Sequence, residues 1–115
     1  WFDCSAVALA RLGDRSVLVI NPLIYAEVSL RFSHIEEWDD AIPGELLRRD
    51  PLPWRAGFLA GKFFSLYRSR GGGRRSPLPD FYIGAHAALM GMTLLTRDAS
   101  RYQGYFPTLE VAAPE

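Results

Sequence analysis

Two short apolar runs constrain this chain more than anything else in it: VLVI at Val17–Ile20 and MTLLT at Met92–Thr96. An unbroken apolar run of this length, without the alternation of a half-exposed strand, reads as a strand buried on both faces. Strands of that kind need helices above and below them, and helix signals lie between the two runs. Asn21-Pro22 supplies a cap and a first-turn proline for a helix through about Arg31. Ser33 opens a second helix, with Glu36 as the third residue of a capping box, ending before Pro43. A short helical turn is expected over Gly44–Arg49. Pro53 opens a long helix carrying Phe58, Leu59, Lys62, Phe63 and Leu66, ended by Gly71–Gly73. Pro79 opens another, DFYIGAHAALM, closed by Gly91. Residues 4–12 (CSAVALARL) read as helix and Thr108–Val111 as a last strand. The alternation predicts an α/β domain with a parallel sheet covered on both faces. Three strands are thin for so many helices, so a further strand ahead of Trp1 is expected.

At 115 residues there is room for one domain over 1–115. The formal net charge is zero, so nucleic acid or an anionic surface must be attracted by a local patch. Charge is unevenly spread: five acids and no cation lie between Arg31 and Arg48, whereas Arg68, Arg70, Arg74 and Arg75 cluster around a glycine run. The single Cys4 excludes an intrachain disulfide and a zinc knuckle, which suits a reducing, cytoplasmic setting. No apolar run approaches the roughly 20 residues of a membrane helix.

Three acids stand where acids are unexpected. Glu27 shares a helix face with Leu23, Ile24 and Leu30; Asp80 sits in the first turn after Pro79; Asp98 falls two residues after MTLLT. Taken singly, each has an ordinary reading: Asp80 complements a helix dipole, Asp98 caps a loop, Glu27 pairs with an arginine. Connectivity joins them. In parallel units both apolar strands end at one sheet edge, where open α/β folds carry their sites. A helix running back before the second strand begins at that edge too. Clustered carboxylates repel, and a hard divalent cation relieves them; Mg²⁺ or Mn²⁺ prefers such oxygen ligands and acts in phosphoryl displacement.

NPLIYAEVS with Glu27, LPDFYIGAHAALMGMTLLTRD with Asp80 and Asp98, and the closing YFPTLEVAAP together resemble the PIN-domain nucleases. Within them the chain is most similar to VapC-type toxins of bacterial toxin–antitoxin pairs. The resemblance implies a three-layer α/β/α sandwich with a short parallel sheet, and a metal-dependent endoribonuclease using Mg²⁺ or Mn²⁺. It makes Glu27, Asp80 and Asp98 catalytic and metal-binding, with the Thr96 hydroxyl beside them. It implies RNA as substrate and, as partners, a small antitoxin and a second copy of the chain. The family opens with a strand ending in aspartate, which residues 1–115 do not contain, so that strand is expected before Trp1. Its lack in the molecule would favour the alternative, a non-catalytic PIN-like module binding RNA or protein.

Arg70, Arg74 and Arg75 fit an RNA-backbone clamp and a solvated loop equally well. His86 lies six residues after Asp80, turned away from it, and reads as structural. The glycines of RGGGRRS lack the P-loop pattern, and Asn21 after the first strand weakens a phospho-acceptor enzyme.

Overall fold

The computed structural model describes residues 7–11, 18–41, 47–71, 78–96 and 99–112. In chain order the elements are β1 (Val7–Arg11), β2 (Leu18–Ile20), α1 (Pro22–Ser29), α2 (Ile35–Ala41) and β3 (Leu47–Arg49). Then come α3 (Trp54–Ser69), α4 (Leu78–Met90), β4 (Met92–Thr96), α5 (Ala99–Tyr105) and β5 (Val111–Ala112). The chain is of mixed α/β class. The five strands form one sheet in the order β3-β2-β1-β4-β5.

Direction decides where this sheet can carry a site. β2 pairs with β3 in parallel and β4 with β5 in parallel, while β1 is antiparallel to both β2 and β4. Four strands therefore run one way, and the central one runs against them. Val17 lies outside the described residues, and the first apolar run is a strand over Leu18–Ile20. β2 and β4 are not neighbours, yet they end at the same edge.

Three local expectations are corrected. Residues 7–11 form a strand, not the expected helix. VALAR is rich in helix formers, but the backbone edges of β2 and β4 face each other across one strand's width. Pairing both outweighs a weak intrinsic preference. Leu47–Arg49 is a strand rather than a helical turn, because its backbone continues the sheet beyond β2. The second helix starts at Ile35, and its capping acid is Glu37, not Glu36. Glu37 Oε1 accepts from the backbone N–H groups of Ser33 (3.0 Å) and His34 (2.8 Å). The last strand also begins later than expected, at Val111.

α4 is the most deeply buried helix of the described residues, with Asp80, Phe81, Ile83, Gly84, Ala85, His86 and Ala87 all inside. An aromatic cluster ties it to its neighbours. Phe81 stacks on Tyr105 of α5 at 4.2 Å between ring centroids and meets Phe64 of α3 edge-on at 5.4 Å. Phe63 and Tyr67 of α3 reach Phe106 and Tyr105 at 4.8 and 4.9 Å. Gly84 admits this packing: a Cβ there would lie 2.2 Å from a Phe106 ring carbon. Gly91 turns the chain from α4 into β4 at φ +65°, which glycine adopts without strain. α4 therefore runs back along the sheet, and its first turn lies where β2 and β4 end.

Candidate functional site

The site is assembled from three helices. α1 leaves β2 through Asn21, whose Oδ1 accepts from the N–H groups of Leu23 and Ile24, both at 3.0 Å. Glu27 follows in the last turn of α1, six residues after Asn21. α4 contributes Asp80 from its first turn, only 3% exposed. α5 begins three residues after β4 and contributes Arg101 and Tyr102.

Arg101 and Tyr102 meet at Asp80. The Tyr102 hydroxyl donates to Asp80 Oδ1 at 3.2 Å, and Arg101 Nη2 lies 3.3 Å from Asp80 Oδ2. Glu27 is exposed over much of its surface, yet its pKa is raised. Partial burial of the carboxyl is the main cause, the negative charge of Asp80 the next, and Arg101 opposes both. Tyr102 is raised far above the ordinary phenol range by burial first and then by Asp80, so it stays a protonated donor. Thr96 ends β4 with 1% exposure.

Glu27 and Asp80 are thus within electrostatic reach of each other at one edge of the sheet. Asp98 lies outside the described residues, as do Arg74 and Arg75; Arg70 caps the C-terminus of α3 and is exposed. Among the described residues no three His, Cys, Asp or Glu side chains group closely enough to hold an ion. The donor chemistry of the two acids does fit a hard divalent cation. They are carboxylates, and the charge of Asp80 adds to the burial that raises the Glu27 pKa, a repulsion that a cation relieves.

His86 serves structure. It is buried, and its Nδ1 lies 3.0 Å from Asn21 Nδ2. Around α1 from Glu27, by about 140° at 3.6 residues per turn, the Pro22, Tyr25, Ala26 and Ser29 face borders a cavity of about 550 Å³ at the ends of β2 and β3. Arg49 closes one side, ion-paired with Asp39 at 2.8 Å and lying 4.9 Å over the Tyr25 ring.

Arg101 and Tyr102 escape the sequence reading because α5 is not among the expected helices. A signal for it exists: ASRYQGY ends shortly before Pro107, which cannot continue a helix. No protein-family model matches the chain, and no curated protein matches it.

Proposed function

We propose that this chain is a PIN-type endoribonuclease domain dependent on Mg²⁺ or Mn²⁺, acting in the cytoplasm as the toxin of a bacterial toxin–antitoxin pair. The observation that supports the reading is buried Asp80 in the first turn of α4, at the edge where β2 and β4 end, with Glu27 of α1 within its electrostatic reach. A three-layer α/β/α arrangement, a homodimer and a small antitoxin protein covering the site belong to the same proposal. Among the described residues no helix is long and apolar enough to cross a membrane.

Glu27, Asp80 and Asp98 would hold the cation, which when bound supplies an activated water and neutralises charge on the phosphodiester. The chain's own residues do the positioning. Tyr102 fixes one oxygen of Asp80, and Thr96 places a hydroxyl-bearing side chain at the end of β4. Arg70, Arg74 and Arg75 draw the RNA backbone, since guanidinium forks suit phosphate oxygens.

One observation favours a second reading. The central strand runs against its neighbours, so its C-terminal end cannot present an acid at the site edge. A PIN-like module that binds RNA or protein without cutting would have that property. Incubating the purified chain with single-stranded RNA and Mn²⁺ separates the two. The nuclease reading expects cleavage that EDTA stops and that Asp80→Asn and Glu27→Gln abolish while both variants remain folded. Binding without cleavage selects the module.

A further inference from the structure

Asp80 poses a problem that its own helix does not solve. A carboxylate with 3% exposure needs a positive charge or a full set of donors, because burying it alone is costly. α5 supplies both kinds of partner from adjacent residues: the neutral Tyr102 hydroxyl on Oδ1 and the Arg101 guanidinium on Oδ2. The two partners differ in exposure. Tyr102 is fully buried in the aromatic cluster, whereas the Arg101 side chain is 41% exposed and lies across its neighbour's ring at 5.4 Å.

We propose that Arg101 is the resident counter-ion of the acidic site, competing with a divalent cation for Asp80, so that cation entry displaces its guanidinium. The inference rests on the metal-dependent reading above. A guanidinium in contact with Asp80 and a divalent ion on the same carboxylate repel strongly at such distances. The guanidinium is the partner able to leave, because much of its surface already faces water. Tyr102 stays behind as a donor, so Asp80 keeps its orientation through the exchange. Arg101 also lowers the Glu27 pKa, so the same displacement removes a counter-charge that the two acids share. Once released, it remains tethered to α5 beside the site, where its planar fork suits an incoming phosphodiester. Arg101 is then a positioning residue that offsets part of the negative charge of the apo site and yields on loading.

The test is Mn²⁺ titration by calorimetry, with thermal melts, on the full chain and on Arg101→Gln, Arg101→Lys, Arg68→Gln and Asp80→Asn. Arg101→Gln should bind Mn²⁺ about tenfold more tightly, the equivalent of removing about 1.4 kcal/mol of competition. It should also melt lower than the parent without metal and gain more from Mn²⁺. Arg101→Lys should stay near the parent, since it retains the charge. Arg68 lies over the Phe64 ring on α3, so Arg68→Gln should leave affinity unchanged. Asp80→Asn should lose binding. If the parent binds Mn²⁺ and Arg101→Gln binds equally or less tightly, the counter-ion inference alone is overturned. Equal tightening by Arg68→Gln overturns it as well, by reducing the effect to net charge. If neither the parent nor Arg101→Gln binds Mn²⁺, the metal-dependent reading falls together with it. Binding gained only on Arg101→Gln supports the inference in its strongest form.

Discussion

Asn21 is the residue through which local sequence reaches furthest into this fold, and substituting it has a calculable outcome. Its Oδ1 is committed to two backbone N–H groups at the start of α1, so the amide nitrogen is what faces His86 Nδ1 at 3.0 Å. That fixes the histidine: Nδ1 accepts, the proton sits on Nε2, and the ring is neutral. Asn21→Ala removes the cap, at about 0.5–2 kcal/mol, and leaves a buried ring nitrogen without its donor, at about 1–3 kcal/mol. The sum, about 1.5–5 kcal/mol, corresponds to a fall in Tm on the order of 10 °C for a chain of this length. Asn21→Asp separates the two contributions. It keeps a capping oxygen but turns a carboxylate oxygen toward His86, which favours the protonated ring.

The pH dependence carries the sharper test. His86 has a folded-state pKa below its ordinary 6.5, chiefly through burial, with Asp50 pulling the other way. As pH falls the unfolded chain takes up this proton first. The stability contributed by neutral His86 is therefore complete above about 6.5 and lost as pH drops toward the folded value. In Asn21→Asp the histidine gains a reason to be charged, so the variant should recover ground against the parent on acidification. Urea unfolding at several pH values from 5 to 8 measures this. Parallel stability curves for the parent and Asn21→Asp would refute the proton assignment and the network built on it.

Other perturbations follow from the same geometry. Gly84→Ala forces a methyl into the Phe106 ring and should cost about 1–3 kcal/mol in a thermal or denaturant melt. Glu27 has a raised folded pKa, so without metal its ionisation destabilises the fold. The stability linked to its protonated form is full below about 4.5 and lost as pH rises through the folded value. Glu27→Gln should therefore flatten that part of the stability profile and leave the metal-free domain at least as stable at pH 7. Replacing Arg70, Arg74 and Arg75 with Gln should weaken RNA binding on an Asp80→Asn background. Every arginine that neutralises a phosphate should, when replaced, take about 0.7 off the slope of log K against log salt, and unchanged slopes would make the loop a solvated surface.

The parts of this fold that are legible in sequence share a property: their signals are local and covalent. Asn21-Pro22 marks the start of α1, Pro53 the N-cap of α3, and Gly91 the turn into β4; each fixes backbone geometry within a few residues. The direction of β2 and β4 is also accessible, because helices running back between strands leave few topologies. What sequence does not disclose is set by distant partners. VALAR becomes a strand only because β2 and β4 flank it, and Leu47–Arg49 only because β2 offers an edge. The site divides in the same way. Glu27 and Asp80 are visible as acids out of place, whereas Arg101 and Tyr102 look like ordinary helix residues until α5 packs against α4.

The reversed central strand bears directly on how such a site could work. β1 enters the sheet beside the end of β4, where Val7 pairs with Thr96, and leaves at the opposite edge, where Arg11 pairs with Met92. A parallel strand in that slot would deliver its last residue to the site; an antiparallel one delivers its first. The described carboxylates at the edge are then Glu27 and Asp80, with the Arg101 charge set against them. With Asp98 outside the described residues, the two described carboxylates alone would hold Mg²⁺ or Mn²⁺ only if waters and a substrate phosphate completed the shell, which is how the smaller of the hard cations is commonly held. On the proposed reading, a site so built would load its metal weakly alone and more firmly with RNA in place, since a coupling between the two ligands acts equally on both. Arg101 would fit that arrangement: it offsets one of the acidic charges, and its side chain is 41% exposed.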